Sequence, residues 1–384
     1  MASTDAATPA AQRPGPATLR PEVLDFTPYV AGLSIEEITQ KYGLSQVIKM
    51  ASNENPLGVS PLVQRAIRDH AALAFRYPRS GNPRLLAALA SRLGVAPSRL
   101  VVGNGSDEII DLLIRVRATP GTHNVLTFKP CFSMYTLQSR LCGVELRQVP
   151  LRPDYSFPYD DFVAAADENT AIAFITTPDN PSGFTPPVAD IEALARALPQ
   201  DCLLVVDEAY MDFALPQEAY SLASRLDDFP NVVIVRTFSK MYGLAGMRLG
   251  YGIMPEWLAD YMWRVRPPFS VNILAEEAGI AALADTDFLR ATLETVAAGR
   301  ELLGRELAAL GCEVAPSQAN FLLFTLPQGA RLNARAVFER LLQRGVIIRP
   351  LASYNLPDSL RVTVGNAEEN MIFLKAMREV LRHG

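Results

Sequence analysis

At 384 residues the chain is too long for one typical hydrophobic core and suits two domains. Hydrophobic residues make up 49% and charged residues 20%, ordinary for a globular protein, and a net charge of −5 argues against a surface built to hold nucleic acid. No run of 18 apolar residues occurs and the first twenty residues lack the apolar centre of a secretory signal, so no membrane span and a cytoplasmic address are expected.

Residues 1–22, rich in Ala, Pro and Thr, are expected as a disordered tail. A segment at 23–50 is expected to pack with the smaller of two domains. From 51 to 285 short apolar runs alternate with helical stretches, the mark of an α/β layer structure. Strands are predicted at Leu100–Gly103, Asn124–Phe128, Val144–Val149, Ala171–Thr176, Leu203–Asp207, Val232–Arg236 and Leu249–Ile253. Several are continuously apolar, as in a mostly parallel seven-stranded sheet covered on both faces. Buried helices give similar runs; length and β-branched content favour strands.

After Asp285 the pattern changes to a smaller α+β domain, 286–384. A long helix is predicted from about Phe288 to Leu310, with Leu289, Leu293, Val296 and Ala297 at helical spacing and Gly311 as its stop. A strand (Asn320–Leu326), a helix (Arg335–Arg344) and two short strands (Val346–Arg349, Leu360–Val364) follow. The last helix opens with Asn366 and Glu369 in capping-box positions and buries Phe373, Met377, Val380 and Leu381.

Ligands of open α/β sheets bind beyond the carboxyl ends of the strands. Four predicted strands end in polar, ligand-competent stretches: Gly103–Glu108, Thr177–Gly183, Asp207–Tyr210 and Thr237–Lys240. The first, with Asn104 as helix cap, offers free backbone N–H groups to a phosphate and is equally an ordinary helix start. Glu108 stands where a dinucleotide fingerprint has its third glycine, and no P-loop occurs, which disfavours Rossmann oxidoreductases and P-loop enzymes. The Asn-Pro-Ser-Gly stretch is by itself a turn. Asp207 closes an apolar run and needs a cation or donor, whether ion pair, cap or ligand. Lys240, in isolation a solvated side chain, is flanked by small and hydroxyl residues and followed by Gly243-Leu244-Ala245-Gly246, which lets backbone pack closely. A desolvated lysine has a lowered pKa and attacks carbonyls. Cys131, Cys142, Cys202 and Cys312 include no C-x-x-C pair, and His70, His123 and His383 are scattered, so neither disulfides nor a metal are expected.

Taken together, Ser52–Gly58 (SNENPLG), Arg76–Pro78 (RYP), Gly103–Glu108, Thr177–Gly183, Asp207–Tyr210 (DEAY), Thr237–Gly252 (TFSKMYGLAGMRLGYG) and Leu360–Asn366 (LRVTVGN) resemble the fold type I pyridoxal-phosphate enzymes. The resemblance is close to the histidinol-phosphate aminotransferases, of the class II subgroup. It spans nearly the whole chain past the tail.

The resemblance implies an aspartate-aminotransferase-like fold whose large domain, 51–285, binds pyridoxal 5′-phosphate. It implies that Lys240 holds the cofactor as an imine and carries the substrate proton, with Asp207 pairing the pyridine nitrogen. Asn180 and Tyr210 would hydrogen-bond the ring oxygen and Phe132 would cover the ring face, where relatives often carry tyrosine. Ser106, Asp107, Ser239, Arg248 and, more weakly, Thr237 would hold the phosphate. Tyr77 would reach the cofactor of a second subunit, so the implied active unit is a homodimer with shared sites. Arg361 and Arg349 would grip anionic substrate groups, or else form salt bridges between the domains; Tyr29, Asn55 and Asn320 would complete the pocket.

The implied reaction exchanges an amino group between L-histidinol phosphate and 2-oxoglutarate, in histidine biosynthesis, with imidazole acetol phosphate and glutamate as the other pair. Aromatic amino-acid aminotransferases and threonine-phosphate decarboxylases share the cofactor motifs. Which bond breaks depends on how the substrate is oriented. A pyridoxal-phosphate-binding regulator would need a DNA-binding extension, for which the stretch before Ser52 is too short.

Overall fold

The structure, a computed structural model, describes residues 18–24, 26 and 32–382. The large sheet has seven strands: β2 (Leu100–Asn104), β3 (Asn124–Lys129), β4 (Glu145–Pro150), β5 (Thr170–Thr176), β6 (Leu203–Asp207), β7 (Val232–Thr237) and β8 (Leu249–Ile253), with the short β1 (Ile48–Lys49) lying elsewhere. Each predicted strand is present, its ends within one residue of expectation. Their order is β2-β8-β7-β6-β5-β3-β4, with β8 antiparallel to both neighbours and the other pairs parallel.

The continuous apolar runs have their explanation in two cores. Val102, Leu126, Ile175, Leu204, Val206 and Ile234 pack on one face, and Val101, Val125, Phe174, Leu203, Val205 and Val233 on the other. Successive strand residues point to opposite faces, so a strand covered twice must be apolar throughout. The register sets the strand ends side by side: Thr176 lies opposite Asp207, Asp207 opposite Val235, and Thr237 and Gly103 both opposite Gly250. Behind these ends the buried guanidinium of Arg236 on β7 pairs with Glu208, the residue after β6 (2.7 Å), tying the two strands together.

Four helices matter to the site: α1 (Ser106–Arg117), α2 (Ser133–Leu141), α3 (Thr286–Ala309) and α4 (Ala367–Arg382). The second sheet holds β9 (Glu313–Val314), β10 (Phe321–Thr325), β12 (Arg349–Pro350) and β13 (Ser359–Thr363), ordered β12-β13-β10-β9. The run expected as one strand at 346–349 divides: β11 (Val346–Ile347) pairs in parallel with β1, and β12 joins β13. Helix α3 crosses from one core to the other, with Leu289 and Val296 in the larger core and Leu303 and Leu307 in the smaller. Ala297, expected on its buried face, is exposed; Thr292 and Gly299 are buried instead. Gly299 is needed there, because a Cβ would stand 2.5 Å from Val364. At α4 the box forms as expected, Glu369 N–H donating to the Asn366 side chain and Asn366 N–H to the Glu369 carboxylate (both 2.9 Å).

Of the expected tail, residues 1–17 lie outside the described residues, and Pro21 already opens a helical turn, Pro21–Leu24. No described helix is long and apolar enough to cross a membrane.

Candidate active site

At one end of the cleft, β2 turns into α1. The helix cap is Gly105, at φ 79°, and not Asn104, whose backbone N–H instead donates to the Glu108 carboxylate (2.6 Å). Two close approaches explain the glycines. A Cβ on Gly105 would stand 2.5 Å from the Arg248 guanidinium, and one on Gly250 would stand 2.3 Å from the Ser106 backbone nitrogen. Strand β8 therefore presses directly on the helix start. The first N–H groups of α1 have no partner within the helix, so Ser106 and Asp107 present donors and the positive end of the helix dipole. Arg248, held at φ 53°, adds a cation at the same place and donates to Asp107 (3.1 Å). Ser239 and Thr237 complete this end, their hydroxyls 3.0 Å apart. The set suits a phosphate dianion, which needs many donors.

The floor is Asp207. Its carboxylate accepts from the Tyr135 hydroxyl (2.8 Å) and the Ala209 N–H (3.1 Å), both neutral donors. Burial pushes its pKa up to about 6, with Tyr135 pulling the other way. Phe132, at the start of α2, lines the cleft above.

Lys240 enters from the loop after β7 and donates to the Ser52 carbonyl (3.0 Å). Burial, and then the charge of Arg361, lower its pKa to about 8. The loop behind it packs closely at Gly243, at φ 68°, where a Cβ would stand 2.0 Å from the Gly58 carbonyl oxygen; Gly246 faces open space. Asn55 donates to the Met241 carbonyl (2.8 Å), bracing the same loop.

Tyr210 accepts from Asn53 (3.0 Å) and Asn180 (3.5 Å). The buried Arg361 lies over the Phe321 ring and donates to the Asn180 side chain and the Ala51 carbonyl, while its Nε has no partner. Arg349 sits directly opposite Arg361 in register and is half-buried. Asn320 is fully buried and donates to the Asn53 carbonyl (3.1 Å).

One cleft thus gathers Ser106, Asp107, Phe132, Asn180, Asp207, Tyr210, Thr237, Ser239, Lys240 and Arg248. Tyr77 is not brought to it: 80% exposed, it stacks on Phe269 (centroids 4.8 Å) elsewhere on the surface. Tyr29 lies outside the described residues. Tyr135, Thr176 and Asn53 also belong to the site, beyond the residues expected there. Thr176 closes an apolar run that looks like core, Tyr135 lies in a mixed stretch with nothing to mark it, and Asn53 lies inside the SNENPLG motif without a signal separating it from Asn55.

Fold and cleft define a class. The sequence profile described as aminotransferase class I and II matches residues 45–377, and the fold is shared with aspartate aminotransferase from Thermus thermophilus (a double mutant; TM-score 0.81, 23% identity, 94% of this chain and 99% of that one). Histidinol-phosphate aminotransferases of Nitratidesulfovibrio vulgaris and Oleidesulfovibrio alaskensis are each 63% identical, covering 96% and 95% of this chain and 98% and 95% of theirs. The crystal structure of histidinol-phosphate aminotransferase from Sinorhizobium meliloti in complex with pyridoxal-5′-phosphate matches with a TM-score of 0.87 and 31% identity, over 96% of this chain and 98% of that one. This chain belongs to the histidinol-phosphate aminotransferases.

Proposed function

We infer that this chain uses pyridoxal phosphate to transfer an amino group between L-histidinol phosphate and 2-oxoglutarate, in histidine biosynthesis, imidazole acetol phosphate and glutamate being the other pair. The observation that carries this is a low-pKa lysine and a buried, cation-free carboxylate facing one cleft with an anion-binding helix start, in a chain 63% identical to such enzymes. The residues fit the cofactor. Gly105 and Gly250 leave the helix start open to a phosphate, and the hydrogen-bond partners of Asp207 leave its charge for a ligand cation.

When bound, pyridoxal phosphate supplies an aldehyde for the amine and an electron-withdrawing ring. Lys240 would hold the cofactor through its neutral Nζ, and the same amine would carry the proton to and from the substrate carbon. Asp207 would pair with the pyridine nitrogen and keep its proton in place. Ser106, Asp107, Thr237, Ser239 and Arg248 would bind the phosphate, and Phe132 would cover the ring. The Tyr210 oxygen accepts from Asn53, which leaves its own proton to donate to the ring oxygen beside Asn180. Arg361, with its free Nε, and Arg349 receive the carboxylate or phosphate of the alternating substrates. We assign Tyr77 to the site of a second subunit, making the active form a homodimer, and the cytoplasm as its address. The domain boundary is proposed at Asp285, which caps α3 through the Phe288 N–H (3.1 Å).

A single-turnover half-reaction tests the substrate. The cofactor-loaded protein is mixed separately with histidinol phosphate, phenylalanine and O-phosphothreonine, and the lysine-bound cofactor absorbance is followed. Rapid loss with histidinol phosphate alone is expected. Loss with phenylalanine alone makes this an aromatic aminotransferase, and carbon dioxide from phosphothreonine makes it a decarboxylase.

A further inference from the structure

Tyr135 is fully buried, stacked on Phe174 (centroids 4.6 Å, planes 8° apart) and edge-on to Phe132 (5.7 Å, 85°). A buried phenol needs a hydrogen-bond partner, and any backbone carbonyl would serve. Here both partners face the cleft instead: Asp207 Oδ2 at 2.8 Å and Thr176 Oγ1 at 2.7 Å. One hydroxyl reaches both because Thr176 and Asp207 are register partners at the ends of β5 and β6.

We propose that Tyr135 is a positioning residue for the cofactor, holding the Asp207 carboxylate ionised and oriented toward the pyridine nitrogen; this rests on the role given to Asp207 above. An ionised carboxylate only accepts, so the Tyr135 proton points at Oδ2 and its lone pair accepts from the Thr176 hydroxyl. The result is a one-way chain, Thr176 to Tyr135 to Asp207, in which each bond polarises the next. With Ala209 N–H on Oδ1 (3.1 Å), each oxygen carries one fixed donor, so the carboxylate cannot rotate. The same ring stands edge-on to Phe132, joining floor and roof of the cleft through one side chain.

Burial raises the Asp207 pKa and the Tyr135 bond opposes it, so losing the hydroxyl moves the pKa further up from about 6. The other charges acting on Asp207 stay in place: Asp107 on α1, paired with Arg248, and Glu208 beyond β6, paired with Arg236. Lys240, the base facing the same cleft, titrates separately near 8.

Tyr135→Phe keeps both ring contacts and removes only the hydroxyl. With ring-15N pyridoxal phosphate bound, the parent is expected to show a protonated ring nitrogen at neutral pH, where Asp207, with a pKa of about 6, is ionised. In Tyr135→Phe the 15N shift moves toward the neutral form at that pH, cofactor affinity falls about ten- to a hundredfold, and the pH below which affinity declines moves up. Thr176→Val changes all three in the same direction by less. A Tyr135→Phe protein with the parent's 15N profile and affinity, and only a lower melting temperature, overturns the proposal. Should that variant not fold, an unchanged Thr176→Val overturns it as well. Asp207→Asn separates the two claims: if it leaves the 15N shift unmoved, the Asp207 assignment itself is wrong.

Discussion

Lys240 and Asp207 are pushed in opposite directions by the same cause. Burial penalises the charged form of each, lowering the amine to about 8 and raising the carboxyl to about 6. At pH 7.5 a pKa of 8 leaves roughly a quarter of the amine neutral, against about one part in a thousand for an ordinary lysine. Covalent capture of pyridoxal phosphate by the cofactor-free protein should therefore accelerate as pH rises through about 8 and level off above it. Stopped-flow absorbance measures this, and Arg361→Leu should shift the inflection upward, because the neighbouring cation is the second cause of the lowered value. An unmoved inflection would remove Arg361 from the account. Both residues were legible in the sequence, a carboxylate ending one apolar strand and an amine just past the end of another. Tyr135 was not, because nothing along the chain separates a core tyrosine from one whose hydroxyl meets a carboxylate 72 positions away.

At the scale of elements, the phosphate cradle depends on β8 lying against the start of α1. A Cβ on Gly250 would stand 2.3 Å from the Ser106 nitrogen and 2.6 Å from the Gly105 carbonyl carbon. Backbone cannot yield as a side-chain tip can, so Gly250→Ala must push strand and helix apart, and overpacking of this kind costs about 1–3 kcal/mol. The expected outcome is a folded protein whose affinity for pyridoxal phosphate falls more than about tenfold. Gly246→Ala, which meets no atom within 4 Å, should bind the cofactor as the parent does. Isothermal titration of the cofactor-free proteins compares them. The sequence treats Gly243 and Gly246 alike as aids to close packing; only the fold tells them apart, by bringing Gly58 against the first. The helix cap has a similar lesson. Asn104 has the side chain of a cap, yet the chain must turn at φ 79° one residue later, where glycine is at ease.

For the molecule as a whole, Tyr77 and Phe269 stack on each other on the surface, 80% and 41% exposed, away from the cleft of their own chain. If Tyr77 serves a partner's site, Lys240→Ala and Tyr77→Ala chains refolded together form hybrid dimers with one doubly defective and one intact site. Equal mixing makes about half the dimers hybrid, so about a quarter of the parent's sites should be restored, well above the activity of either variant alone. A mixture no more active than the sum of its parts would place Tyr77 outside any shared site. The test needs both variants to stay folded, which circular dichroism checks beforehand.

The chain's own order of residues determined the strands, because a strand covered on both faces must be apolar throughout and its polar ends then stand out. It also carried the motifs at those ends, from the SNENPLG stretch to LRVTVGN. What only the tertiary structure decided are the contacts between those motifs. Asn53 meets Tyr210, Arg361 meets Asn180, and Tyr135 meets Asp207 across 157, 181 and 72 positions. Side chains of one type read alike in a sequence, and which becomes a cap, a brace or a member of the site depends on what the sheet register and the packing of α2 bring within 3 Å of it.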